Sequence, residues 1–177
     1  MIPQPSEAAS ASLYFSPDTA SKTVGDTVTV TMKVNTGGIA INAAEATLSF
    51  SASVLQVKSI SRSGSVFSLW PVEPTYSNAN GTVNFSGGKP SPGYTGSGGS
   101  LFSIVFTAKA NGTARLTVSG AQVLANDGLG TNIVGAVGSG SVKVSAVVVP
   151  PPTPSTPEPV ITSITNPNQD AWSSNST

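Results

Sequence analysis

The chain has 177 residues, a formal net charge of zero at pH 7, and charged side chains at only 9% of its positions. Such a balance gives no electrostatic reason to expect nucleic acid or an anionic membrane surface as a partner. The chain contains no cysteine and no histidine, so it lacks the usual ligands of zinc, haem and iron–sulfur clusters, and it lacks the base of Ser-His-Asp and Cys-His catalysis.

The first predicted elements are a loose N-terminal segment and a long amphipathic strand. Residues 1–11 are polar and lack the charged and apolar regions of a signal peptide, so we interpret them as a flexible segment that follows a removed signal. Strands follow one another from residue 12 onward, and Thr27–Val34 alternates strictly between polar and apolar residues. This alternation is typical of a strand with one buried face.

Further strands are predicted at regular intervals along the chain. They cover residues 13–15, 46–50, 54–60, 66–70, 82–86, 101–108, 113–118, 121–124 and 141–149. The strand over 66–70 is expected to stop at Pro71, because proline cannot donate a hydrogen bond to a sheet. A tight turn at Asn80-Gly81 and a Gly-rich loop over 87–99 separate later strands. About nine strands at a spacing of roughly 8–12 residues predict an all-β sandwich.

The apolar faces of these strands predict one core, which a domain of some 130 residues can bury without disulfides. The predicted core residues are Val28, Val30, Met32, Leu48, Phe50, Leu55, Val57, Phe85, Phe102, Ile104, Phe106, Leu116, Val118 and Val142.

The C-terminal part of the chain predicts a linker and the start of another module. Residues 147–159 include the run PPPTPSTPEP, which favours an extended polyproline II spacer. Residues 160–177 begin with a strand-like segment but are too short to build a core, so we interpret them as the truncated start of a following module. The sandwich is therefore assigned to residues 12–146. The chain has no stretch of about 20 apolar residues, so no membrane insertion is expected.

Four stretches of the sandwich follow the pattern of a known family. They are Val24–Val30, Ala46–Val57, Gly81–Gly88 and Leu101–Lys109. In this order and spacing, they make residues 12–146 resemble the cohesin family, whose architecture is shared with a group of cellulose-binding modules. The resemblance implies a nine-stranded jelly roll. It also implies that the domain holds dockerin modules of other proteins and so assembles polysaccharide-degrading enzymes on a scaffold.

The chain departs from the family pattern at three places. Phe50-Ser51-Ala52 stands where the family has Tyr-Asp-Pro, so the usual aspartate is absent. Asn84 is polar at a position where dockerin-binding members often carry an apolar residue, and Gly87-Gly88 replaces an acidic residue. The expected partner is therefore left open between a dockerin-like protein module and a polysaccharide.

Three functions are compatible with these features. The first is protein binding on a flat face built by residues 44–50, 81–86 and 113–119; its exposed side chains would be Glu45, Thr47, Ser49, Asn84 and Ser86. The second is direct carbohydrate binding, because flat aromatic rings can stack on sugars; its candidates are Trp70, Tyr76 and Tyr94. The third is a structural spacer in a cell-surface protein. Each predicts a secreted or cell-surface protein of a bacterium or archaeon.

Carboxylates offer little support for a metal site or catalysis. Asp26 and Asp127 could supply oxygen ligands to calcium, but turn chemistry is the favoured interpretation of both, so no cofactor is expected. A glycosidase requires two carboxylates about 5–10 Å apart. Glu45 and Glu73 are the candidate pair, and both are expected to be solvent-exposed acids. We therefore predict that the chain is not an enzyme.

Overall fold

The computed structural model describes residues 10–151, and this part of the chain is built from β-strands without a helix. In chain order the eleven strands are β1 (Ala11–Ser16), β2 (Thr19–Thr23), β3 (Thr27–Asn35), β4 (Ile41–Phe50), β5 (Leu55–Ser61), β6 (Leu69–Ser77), β7 (Thr82–Gly88), β8 (Gly99–Ala108), β9 (Gly112–Ala125), β10 (Val134–Val137) and β11 (Gly140–Ser145).

The strands form two sheets that enclose the core between them. The five-stranded sheet has the order β10-β1-β3-β8-β5, and the six-stranded sheet has the order β2-β11-β9-β4-β7-β6. The predicted all-β sandwich is confirmed, with eleven strands rather than nine. The sequence pattern missed β2 and β10, because neither edge strand contributes a buried side chain and neither therefore alternates between apolar and polar residues.

The core follows from the alternation seen in the sequence. Val28, Val30, Met32 and Val34 of β3 are all buried. Aromatic rings join the two sheets across the core: Phe85 of β7 and Phe102 of β8 pack edge-on with ring centroids 4.9 Å apart. Every predicted core residue is buried except Val118, which is only partly buried. Its position explains this, because β11 pairs with β9 only as far as Leu116.

Several predicted strand boundaries are wrong. β11 ends at Ser145, whereas the last strand was predicted to reach Val149. β6 does not end before Pro71 but runs through Pro71 and Pro74 to Ser77. It can do so because it is the edge strand of its sheet, where a missing N–H breaks no ladder on the open side. Residues 113–118 and 121–124 belong to one long strand, β9, rather than to two.

The predicted terminal segments fall largely outside the described residues. Of segment 1–11 only residues 10 and 11 are described, and β1 begins at Ala11, which is fully buried. Of linker 147–159 the first five residues are described, and Val147, Val148 and Val149 are exposed. The proposed following module, 160–177, lies entirely outside. Within residues 10–151, nothing helical is long or apolar enough to cross a membrane.

Candidate functional site

The six-stranded sheet brings together the three strands that were predicted to build a partner-binding face. β9, β4 and β7 are consecutive neighbours, and β6 lies beside β7 at the sheet edge. Alternate residues of β4 from Ala44 to Phe50 are buried, so Glu45, Thr47 and Ser49 project from the opposite, outer side. All five predicted partner-binding residues therefore lie on one surface.

The register of the strands aligns the outward side chains in three rows. From β9 through β4 and β7 to β6, these rows are Gln122–Glu45–Ser86–Val72, Ser119–Thr47–Asn84–Thr75 and Thr117–Ser49–Thr82–Ser77. We refer to these residues as the polar face. Glu45 is its single charged side chain, and hydroxyl and amide groups make up most of the remainder. The face is thus rich in hydrogen-bonding groups but almost uncharged.

Hydrogen bonds between the strands hold several of these side chains in place. Gln122 Nε2 donates to Glu45 Oε1 over 2.9 Å, and the Thr47 hydroxyl donates to Asn84 Oδ1 over 2.7 Å. The Ser119 hydroxyl donates to the Thr47 carbonyl oxygen over 3.4 Å. A shallow depression of about 240 Å³ lies in the middle of the face, between Glu45, Thr47 and Asn84. The polar groups are therefore arranged before any partner arrives.

A bulge in β9 places Gln122 on this face. Glu45 pairs with Gln122 whereas Thr47 pairs with Ser119, so β9 has one extra residue opposite β4. Gly120 lies in this bulge and has a φ of 60°, a conformation that glycine adopts without strain. The bulge interrupts the alternation of the sequence, and for this reason residues 121–124 were predicted as a separate strand and Gln122 was missed. Val72 and Thr75 were missed because β6 was expected to stop at Pro71.

The three aromatic candidates for carbohydrate binding do not form one exposed row. Trp70 packs edge-on against Phe67 and Phe102, with ring centroids 6.0 and 6.3 Å away, and is therefore turned toward the core. Tyr94 is partly buried and also packs against the core. Tyr76 on β6 remains exposed.

The two calcium candidates are engaged with their own turns. Asp26 Oδ2 accepts a 2.9 Å hydrogen bond from the Thr23 N–H. Asp127 accepts hydrogen bonds from the Thr131 hydroxyl and the Leu129 N–H, which together hold the pKa of its carboxyl below the usual range. Among the described residues, no three acidic side chains come close enough together to hold a metal ion.

The two glutamates considered as a catalytic pair have separate partners. Glu73 Oε2 forms an ion pair with Arg62 Nε at 2.9 Å. Glu45 instead accepts its hydrogen bond from Gln122 on the polar face.

Comparison with known proteins identifies the fold. The model of the cohesin domain family matches residues 14–144, from β1 to β11. A cohesin of Clostridium thermocellum, solved as the OlpC cohesin–dockerin complex, shares 12% identity and a TM-score of 0.65, with 81% of this chain and 100% of that chain covered. The sixth cohesin of Acetivibrio cellulolyticus scaffoldin B was solved with a Cel5 dockerin. It shares 21% identity and a TM-score of 0.61, with 77% of this chain and 99% of that chain covered.

An archaeal structure belongs to the same group. The non-cellulosomal cohesin of Archaeoglobus fulgidus shares 21% identity and a TM-score of 0.58, with 77% of this chain and 92% of that chain covered. At these identities the solved structures establish a common fold. Among curated protein sequences, none matches significantly. Because the family model matches well over half of the chain, and because the solved neighbours share its sandwich, the chain belongs to the cohesin domain family.

Proposed function

We propose that this cohesin domain is a non-catalytic interaction module that binds a dockerin through the polar face. The observation that carries the proposal is the cross-strand register, which assembles Glu45, Thr47, Ser49, Asn84 and Ser86 into one open, flat surface of aligned polar rows. Such a surface suits a protein partner that can match many hydrogen-bonding groups at once. Solved relatives of this fold are complexes with dockerins, which supports the same class of partner.

The aromatic side chains support a protein partner over a sugar. Stacking on a sugar ring requires an exposed aromatic face. Trp70 directs its ring toward Phe67 and Phe102, and Tyr94 is partly buried. Tyr76 alone would offer a single exposed ring rather than a row.

The proposal extends to the setting of the module. We place it outside a bacterial or archaeal cell, in a modular protein that handles polysaccharide. The proline-rich sequence over 150–159 supports this, since such sequences space the domains of modular proteins. Related cohesin structures come from clostridia and from an archaeon.

The binding proposal is tested with a set of purified dockerin modules that includes those encoded in the genome of the same organism. The full chain is immobilised, each dockerin is titrated, and insoluble cellulose is used in parallel. We expect at least one dockerin to bind, and Glu45→Arg to lower its affinity at least tenfold by removing the face's one carboxylate and adding bulk and positive charge.

The matched control is Thr29→Arg. Thr29 is also exposed but lies on β3, in the other sheet. A folded chain that binds cellulose but no dockerin would overturn the proposal. An equal loss of dockerin affinity in Glu45→Arg and Thr29→Arg would also overturn it.

A further inference from the structure

Two pairs of strands cross from one sheet to the other at the same place. β1 belongs to the five-stranded sheet and β2 to the six-stranded sheet, and β10 and β11 divide in the same way. The crossings, at residues 17–18 and 138–139, run side by side, because β10 pairs in parallel with β1 and β11 with β2. The Ser141 N–H also donates a 2.7 Å hydrogen bond to the Asp18 carbonyl oxygen. The two crossings therefore form one connected edge beside β9.

An open pocket of about 440 Å³ lies between these crossings and β9, within the range of about 300–1,000 Å³ that is usual for small-molecule sites. We call it the crossover pocket. Its lining includes five hydroxyl side chains, those of Thr19, Thr113, Thr117, Ser139 and Ser141. Hydroxyl groups both donate and accept hydrogen bonds, as those of a sugar do. The lining therefore suits a ligand that carries several hydroxyl groups.

Arg115 contributes a positive charge to the crossover pocket. Its side chain projects from the outer side of β9, because Ala114 and Leu116 on either side of it are buried. Within residues 10–151, the Arg115 guanidinium forms no ion pair. A guanidinium is planar and binds a carboxylate through two parallel N–H···O hydrogen bonds. Arg115 is thus available to a carboxylate on the ligand.

Asp18 contributes a negative charge to the same pocket, and its Oδ1 accepts a 3.4 Å hydrogen bond from the Thr19 hydroxyl. A carboxylate accepts hydrogen bonds from sugar hydroxyl groups, but it repels a second anion placed close to it. A ligand with one carboxylate and several hydroxyl groups satisfies both Arg115 and Asp18. A compact, densely charged anion such as sulfate would satisfy Arg115 alone.

A second cation lies beside the crossover pocket. Arg115 pairs with Ser141, and Lys143 lies two residues further along β11. Arg115 and Lys143 are therefore diagonal neighbours, about 7–8 Å apart. Both project from the outer side of the sheet, because the residues that flank them in β9 and β11 are buried. A chain of acidic sugars would thus meet a second positive charge next to the first.

We propose that the crossover pocket binds a sugar acid, the unit of a polysaccharide that carries one carboxylate on each sugar. The sugar carboxylate binds Arg115, and the sugar hydroxyl groups bind Asp18 and the hydroxyl side chains of the lining. This inference goes beyond the proposed function and does not rest on it, since it involves no dockerin. The pocket adjoins the polar face at Thr117, which belongs to both. The domain would then hold an acidic polysaccharide and a protein partner on neighbouring parts of one sheet.

The first experiment tests the ligand. The isotope-labelled full chain is titrated with the trimer of galacturonic acid and followed by NMR, with the methyl-esterified trimer and sodium sulfate at matched ionic strength as comparisons. We expect saturable shifts at Thr113, Arg115, Ser139 and Ser141 with the acidic trimer, and at least tenfold weaker binding of the ester and of sulfate. Shifts outside these positions only, or equal binding of the ester or of sulfate, would overturn the proposal.

The second experiment tests the two charged residues with the same probes. Arg115→Gln should lower the affinity for the acidic trimer at least tenfold, because it removes the guanidinium. Asp18→Asn should strengthen sulfate binding at least threefold, because it removes the repelling carboxylate. The control is Lys58→Gln, which removes an exposed cation from β5 in the other sheet and should change the affinity for the trimer less than threefold. Equal affinities of Arg115→Gln and Lys58→Gln for the trimer would overturn the site. Because no dockerin takes part, that result would leave the proposed dockerin binding intact.

Discussion

Phe50 of β4 and Phe106 of β8 meet edge-on across the sandwich, with ring centroids 5.3 Å apart. Each comes from an interior strand of its own sheet, so the contact joins the sheet that carries the polar face to the sheet behind it. Edge-to-face pairs add to the free energy gained from burial alone. The contact therefore adds to the stability of the sandwich beneath the polar face.

Phe106→Ala should destabilise the domain by about 3–5 kcal/mol, since it removes a buried ring and leaves a cavity. Phe106 is only 1% exposed, as the alternation of β8 predicted. Urea unfolding monitored by circular dichroism measures the change. The control is Thr107→Ala, because Thr107 points away from the core and is only partly buried. Equal midpoints for the two variants would contradict the assigned register of β8.

Gly87→Ala should destabilise the domain by about 1–3 kcal/mol through overpacking. A Cβ at Gly87 would lie 2.8 Å from the Trp70 ring and 2.9 Å from the Phe67 ring, so both rings would have to shift. Tryptophan fluorescence and urea unfolding report the change. Gly98→Ala is the control, because its nearest neighbour would be the Tyr14 hydroxyl at 3.8 Å. A Gly87→Ala variant as stable as Gly98→Ala would show that Trp70 is not held against this position.

Asn78→Ala should leave the backbone of Val57 unpaired at the edge of β5. The Asn78 side chain accepts a 2.7 Å hydrogen bond from the Val57 N–H and donates a 3.0 Å hydrogen bond to the Val57 carbonyl oxygen, in the manner of a neighbouring strand. Loss of both hydrogen bonds should lower the free energy of unfolding by about 1–3 kcal/mol and accelerate hydrogen exchange of the Val57 amide. Ser59→Ala, an exposed change on the same strand, should leave that amide protected. Unchanged exchange in Asn78→Ala would rule out this role.

Thr131→Val should raise the pKa of the Asp127 carboxyl, since the Thr131 hydroxyl is the largest cause of its lowering and the Leu129 N–H the next. A carboxyl whose pKa is lowered by folding stabilises the folded state above its unfolded pKa of about 4, and this contribution is lost as the pH falls through the folded pKa. An NMR titration of the carboxyl carbon measures the shift. Thr113→Val is the control, and an identical titration in both variants would contradict the assignment.

Much of the fold could be predicted because its long strands obey local rules. The alternation of β3 and the apolar run of β8 identified both strands and most of their buried residues. The predicted partner face also proved contiguous, since β9, β4 and β7 are neighbours. Two kinds of error had different causes. The boundaries in β9 and β6 were wrong because a bulge at Gly120 and two prolines break the local pattern. β2 and β10 were missed because these edge strands bury no side chain.

The sequence alone was sufficient to predict an all-β sandwich, its core and the polar side of β4. The reason is that burial of one face of a strand imposes an alternation of polar and apolar residues that is visible without a structure. The apolar row that contains Leu69 and Leu124 was not predictable in this way. Leu69 and Leu124 are 55 residues apart in sequence, and only strand order and register place them in one row with Ala43 and Gly88.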